Sequence, residues 1–217
     1  MIPPMSDRLP TPLRARPPLS AEERRLSLSR ALAQAPAAGA IWIFAYGSLM
    51  WDPCFAFDAK TTATLVGYRR AFNFWTVQTR GTPESPGLGL GLEAGGQCQG
   101  VAYRLSDSRC DADLEAIWDR EMFNGVYEPH WLPLQTAGGM RHALCFMTNP
   151  AHEQYAGMLA PARAAEFIAR ACGTKGSCRD YLAQAVEALA RHGVSDPLLN
   201  ELLALVDGLP PAPAAIG

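Results

Sequence analysis

Charge is scarce in this chain: 18% of its 217 residues are Asp, Glu, Lys or Arg, the net charge is −2, and no long run of Lys or Arg occurs. That removes the electrostatic footprint needed to hold nucleic acid or an anionic membrane surface, and a small molecule becomes the expected partner. No apolar run approaches the length that spans a bilayer, and the N-terminus has no hydrophobic signal core, so a cytoplasmic location is expected. The six cysteines (Cys54, Cys98, Cys110, Cys145, Cys172 and Cys178) form no C-x-x-C pair, and the four histidines are equally dispersed. Reduced thiols and no metal site are therefore expected; the nearest mixed pair, His142 and Cys145, falls on a predicted strand. With 48% hydrophobic residues the chain can bury a sizeable core. It reads as one globular domain over residues 20–208, between a disordered proline-rich tail, 1–19, and a flexible one, 209–217.

What is present is organised around Ile41 to Trp51. Ile41 to Tyr46 has the β-branched, aromatic and small residues of a buried strand, and it runs directly into Gly47-Ser48. A buried strand that ends on a tight turn leaves backbone N–H groups without ladder partners. The amides of Gly47, Ser48 and Leu49 could then form a cup for an anion or a polarised carbonyl, since glycine allows close approach. A plain strand-to-loop turn is the alternative.

Around this element, Ser20 and Glu23 form a capping-box pattern ahead of a short helix to about Ala35. Ala63 to Val77 predicts one or two strands, Arg80 to Gly87 a loop, and Gly87 to Glu93 a strand with all its leucines on one face. Gly89 to Ala94 matches the letters of a dinucleotide-binding G-x-G-x-x-A, but it is followed by Gly95-Gly96 and a further strand, Gln99 to Leu105, instead of a helix. Glycine there marks close backbone contact or a bend. Val126 to Leu134 and His142 to Met147 read as two more strands, paired antiparallel with their neighbours. Helices follow at Pro161 to Cys172, Arg179 to His192 and Pro197 to Val206, stopped by Gly173, Gly193 and Gly208.

One helix carries a chemical signal. Over Asp107 to Arg120, Leu114, Ile117 and Trp118 are spaced i, i+3, i+4 and define a core-facing stripe. Glu121 extends that stripe at i+7 from Leu114. A carboxylate there would be desolvated, its pKa raised, and it could exchange a proton near neutrality. Otherwise the helix ends before Glu121, or Arg120 or another base neutralises it.

Tyr46-Gly-Ser-Leu-Met-Trp51, Arg80-Gly-Thr-Pro-Glu-Ser-Pro-Gly87, Gly100-Val-Ala-Tyr-Arg-Leu105, Arg120-Glu-Met122 and Tyr155-Ala-Gly-Met-Leu159, in this order between about Ile41 and Val206, resemble the ChaC-type γ-glutamylcyclotransferases. The resemblance implies an α+β fold, a small mixed β-barrel with surrounding helices and a helical C-terminal part. It implies cleavage of glutathione to 5-oxoproline and Cys-Gly without a cofactor, with Tyr46, Gly47, Ser48 and Leu49 holding the γ-glutamyl group and Glu121 as the acid/base. The freed α-amine would attack its own γ-carbonyl, so proximity supplies much of the catalysis and amide donors receive the developing charge. Arg80 could pair with a substrate carboxylate or merely order its loop. Tyr127 and Tyr181 stand where similar proteins carry tyrosine, and either place a hydroxyl at the site or pack in the core. Thr76-Val-Gln-Thr79 departs from the Ser-Thr-Asp-His of many members, which leaves open ring closure on another γ-glutamyl amide or dipeptide. A non-catalytic binding module on the same fold would be expected to have lost the carboxylate.

Overall fold

The computed structural model describes residues 13–36 and 39–210. Its centre is a closed five-stranded barrel of β1 (Trp42–Ala45), β2 (Phe57–Thr76), β3 (Gly87–Leu105), β4 (Tyr127–Thr136) and β5 (Gly139–Thr148), in the order β1-β3-β2-β4-β5. Every pairing is antiparallel except the closing one, in which β5 meets β1 in parallel at Ile43 and Leu144. Around it lie α1 (Ala21–Ala33), α2 (Cys110–Glu121), α3 (Pro161–Arg170), α4 (Cys178–Arg191) and α5 (Pro197–Asp207). The expected mixed barrel with surrounding helices and a helical C-terminal part is therefore what the chain adopts.

The barrel is built from fewer and longer strands than the sequence pattern predicts. Gly87–Glu93 and Gln99–Leu105 form one 19-residue strand, because Gly95 and Gly96, at φ 92° and 77°, bend the chain without ending its pairing. Its partner β2 is likewise a single strand of 20 residues, beginning at Phe57 and not at Ala63. Three register shifts along this ribbon, at Phe57/Ala59, Val66/Tyr68 and Phe72/Phe74, add the twist that lets a long pair curl round to meet β1 and β4. Strand alternation then divides the core. Phe44, Tyr46, Leu65, Leu92, Leu134 and Cys145 belong to one buried cluster, while Ile43, Ala45, Leu144 and Phe146, at the intervening positions, join the larger cluster with the helices.

The helices follow ordinary local rules. Ser20 and Glu23 close the expected capping box on α1. Leu114, Ile117 and Trp118 of α2 are buried as the stripe predicts, as are Leu182 and Leu189 of α4. α3 stops at Arg170, short of the predicted Cys172, because Ala171 turns extended and the next residues pair as a two-stranded hairpin, β6 (Cys172–Gly173) and β7 (Gly176–Ser177). His142 and Cys145 both lie on β5, as expected. Of the stretch 1–19 expected to be a disordered tail, residues 1–12 lie outside the described residues. Within residues 13–19, 14–18 are exposed, while Leu13 is buried, Arg16 pairs with Glu153 at 2.8 Å and the Leu19 N–H bonds the Phe123 carbonyl at 2.8 Å. A buried leucine gives this short piece the apolar contact that composition averaged over the whole stretch concealed. Residues 211–217 of the expected C-terminal tail are also outside the described residues.

Glycine in the ribbon serves close approach, as anticipated. A side chain at Gly91 would strike Thr148 Oγ1 and Asn73 Oδ1, which are hydrogen-bonded to each other. A side chain at Gly100 would stand 2.4 Å from the Ala45 carbonyl oxygen, a backbone atom at the end of β1 that no rotamer change can move. Gly100→Ala is accordingly expected to lower stability by about 2 kcal/mol through overpacking. In urea denaturation the midpoint should fall with an unchanged slope, whereas an unchanged midpoint would show that β1 and β3 have room to separate.

Candidate active site

The site forms where β1 ends. After Ala45 and Tyr46 the chain leaves the sheet at Gly47 (φ −136°, ψ −135°) and makes one turn of 3-10 helix, Ser48–Met50. As the first amides of a helical turn, those of Gly47, Ser48 and Leu49 have no intrahelical acceptor, and among the described residues none of them donates a hydrogen bond. Three contacts fix this cup from outside. The buried Arg70 donates from Nε to the Tyr46 carbonyl at 2.6 Å and pairs with Asp196 at 2.5 Å; the Tyr103 hydroxyl donates to the Met50 carbonyl at 3.3 Å; and Arg120 donates to the Asp52 carbonyl at 2.6 Å. Orienting the carbonyl of Tyr46 orients the N–H of Gly47 in the same peptide plane.

Glu121 is the last residue of α2 and 13% exposed. The helix does reach Glu121, and Arg120 does approach it, with Nε 3.6 Å from the carboxylate. That arginine is shared, however, since Nη1 also holds the side chain of Asp52 at 3.0 Å. Burial outweighs the attraction of Arg120 and Lys175, and the Glu121 pKa is raised to about 7. The carboxyl group and the cup line one narrow cavity, with Leu90, Phe146, Tyr46, Tyr127 and Tyr181 completing its wall. Its free volume is about 20 Å³. Glu121 and Tyr127 also line the inner end of an open cleft of about 620 Å³ that runs outward past Thr76–Thr79, Phe123 and Lys175.

The three tyrosines are not equivalent. Tyr46 donates its hydroxyl to the Phe146 carbonyl at 2.5 Å and Tyr127 donates to the Leu90 carbonyl at 2.7 Å, so each keeps only oxygen lone pairs to offer. The Tyr181 hydroxyl, with no hydrogen bond of its own among the described residues, lies 3.5 Å from where a Cβ on Gly47 would stand. Burial, with the Glu121 charge as the next cause for Tyr46 and Tyr181, pushes all three tyrosine pKa values far up. They stay protonated near neutrality, and Glu121 alone in this cavity titrates there. Arg80 does not line the cavity or the cleft: its guanidinium lies 5.2 Å from the ring centre of Tyr181 and reaches the Ser177 carbonyl at 3.4 Å, a position that ties its loop to β7 and backs the tyrosine.

Sequence reasoning missed Asp52, Arg70 and Lys175. Nothing local marks the first two, because their partners are distant in the chain. Lys175 carries a faint signal, being one of only two lysines among 19 basic residues.

A carboxyl with a raised pKa has a measurable energetic consequence. The unfolded chain ionises Glu121 at its ordinary 4.5 and the folded chain near 7. Between those values the unfolded state releases its proton first, so the folded state loses stability as pH rises and the loss is complete above about pH 7. Glu121→Gln keeps the shape and removes the charge. It should match the parent protein at pH 4 and exceed it at pH 8.5 by on the order of 3 kcal/mol, read by denaturant titration at both pH values; an equal difference at the two would mean that Glu121 is solvated like a surface carboxylate.

Comparison with known proteins matches residues 41–209 to the family model described as ChaC-like protein. The glutathione-specific γ-glutamylcyclotransferase of Escherichia coli (strain K12) is 40% identical over 191 residues, spanning 88% of this chain and 83% of its own. The γ-glutamylcyclotransferase 2-3 of Arabidopsis thaliana is 31% identical over 172 residues, spanning 75% and 86%. Among solved structures, the yeast γ-glutamyl cyclotransferase specific to glutathione superposes with a TM-score of 0.72 over 78% of this chain and 96% of its own, at 22% identity, which establishes the shared fold. The chain belongs to the ChaC-like family.

Proposed function

We propose that this protein is a γ-glutamylcyclotransferase that cleaves glutathione to 5-oxoproline and Cys-Gly. The observation that carries the reading is the juxtaposition in one cavity of Glu121, whose pKa is raised to about 7, with three backbone amides that have no acceptor among the described residues. The names of the bacterial and yeast relatives support the substrate, and membership of the family supports the reaction class.

The chemistry follows from what each group can do. The α-ammonium of the glutamyl unit cannot attack a carbonyl until a base removes its proton, and Glu121 is the group poised to do so near neutrality. The lone pair released on nitrogen attacks the γ-carbonyl carbon of the same residue, closing a five-membered ring, while the carbonyl π electrons move onto oxygen. Attack within one molecule needs the chain folded, which confinement between the cup and the tyrosines supplies. The cup amides offer donors to the oxyanion or to the substrate's α-carboxylate. The lone pairs left on the Tyr46 and Tyr127 hydroxyls can accept from the ammonium. When the intermediate collapses, the C–N bond to the cysteinyl residue breaks and protonated Glu121 gives its proton to the departing amine. The ring nitrogen, which still carries an extra proton after the attack, releases it to the restored carboxylate and thence to solvent, leaving the neutral lactam. The narrow cavity alone is too small for a glutamyl unit, so the bound unit also occupies the inner end of the cleft, where Glu121 and Tyr127 stand.

Two outcomes test this. Glu121→Gln should release 5-oxoproline from glutathione at least a hundredfold more slowly, the range for loss of a general acid/base, while glutathione still binds by calorimetry. For the unaltered protein, kcat/KM should rise as pH increases through about 7, where Glu121 ionises. Turnover surviving in the variant would remove Glu121 from the mechanism, and 5-oxoproline released from other γ-glutamyl compounds but not from glutathione would transfer the reaction to another substrate.

A further inference from the structure

The cleft outside the reacting centre has a floor of β2 and loop residues, an apolar flank at Phe74, Phe123 and Val126, and a single uncommitted charge. The other charged groups lining it are engaged: Asp119 holds Arg24 at 2.8 Å, and Arg120 is divided between Asp52 and Glu121. Lys175 makes neither an ion pair nor a side-chain hydrogen bond among the described residues, although its backbone is pinned. Its N–H bonds the Thr79 carbonyl at 2.8 Å, and Thr174 bonds the Gln78 carbonyl from N–H at 2.8 Å and from Oγ1 at 3.1 Å. The hairpin turn between β6 and β7 is thereby anchored to the Thr76–Thr79 segment, and Lys175 lines the cleft.

Building on the cyclotransferase reading, we propose that the cleft seats the leaving half of the substrate and that Lys175 receives its terminal carboxylate. With the glutamyl unit at Glu121, the departing peptide can extend into the cleft, because Glu121 and Tyr127 line both the cavity and the cleft. A peptide leaving group ends in a carboxylate, an anion that in this cleft meets one unpaired cation. The Lys175 charge is already felt at Glu121, whose proton affinity it lowers, so the two lie within electrostatic reach of each other. Lys175 is exposed, hence the interaction is screened, and it acts on substrate choice without touching the reacting atoms.

The test compares glutathione with its glycyl monoethyl ester, in which the terminal charge is absent, using purified full-length protein and Lys175→Met, Lys175→Glu and Lys175→Arg. For glutathione, Lys175→Met should raise KM about two- to fivefold, the span of an exposed ion pair, with kcat little changed. Lys175→Glu should raise it further, and Lys175→Arg should restore it. For the ester, Lys175→Met should leave KM unchanged. Equal losses on both substrates, or no loss on either, would overturn the role of Lys175 while leaving cyclotransfer intact. No 5-oxoproline from the unaltered protein with either substrate would overturn the cyclotransferase reading, and this assignment with it.

Discussion

A carboxyl group kept out of water shares one cavity with three backbone amides that lack acceptors among the described residues, and the surrounding elements serve to hold the two together. Each half is costly alone: a desolvated carboxylate gives up solvation, and amides facing a cavity forgo hydrogen bonds. Held together, they form two fixed points that a folded glutamyl unit can bridge. Three elements supply them. β1 delivers the cup, α2 ends on Glu121, and the Arg120–Asp52 contact ties the helix end to the segment just beyond the cup. Arg70, buried behind the cup, couples the Tyr46 carbonyl to Asp196, which also caps the start of α5, so that α5 braces the turn without lining the cavity.

The barrel explains why these points stay apart from solvent. A two-stranded ribbon as long as β2 and β3 must bend, and it does so at bulges and at paired glycines of positive φ. Closure through the parallel β1–β5 contact brings the main-chain carbonyls of Leu90 and Phe146 to the cavity, where they engage the hydroxyls of Tyr127 and Tyr46. Those bonds fix the rings and leave their lone pairs available. Tyr181, from α4, differs because its hydroxyl has no such tether, and its ring is steadied instead by Phe72, Trp51 and Arg80. Since every tyrosine here holds its proton strongly, the group in this cavity able to exchange a proton near neutrality is Glu121, whose ionisation burial has moved there.

Much of this was legible in the residues. The run from Ile41 into Gly47-Ser48 identified a strand ending in exposed amides, and the spacing of Leu114, Ile117 and Trp118 put Glu121 on the buried side of a helix. Ser20 and Glu23 marked a helix start that the structure contains. The misreadings have physical causes. Gly95-Gly96 looks like a break because glycine tolerates turns, yet positive φ at both residues lets a strand bend and continue. Gly173 looks like a helix stop, but α3 ends earlier because the following residues find partners in a hairpin. Side-chain partnerships across the chain, such as Arg70 with Asp196 or Arg120 with Asp52, arise only when the barrel closes, and an unpaired lysine has no meaning until its neighbours are known.

The central claim is most directly tested by a crystal structure of the Glu121→Gln protein soaked with glutathione. The account predicts the glutamyl unit folded at the junction of cavity and cleft, its α-nitrogen within hydrogen-bond distance of the side chain at position 121 and one of its oxygens on the amides of Gly47 to Leu49. Glutathione bound elsewhere, or with its α-nitrogen facing bulk solvent while residue 121 contacts none of it, would contradict the account.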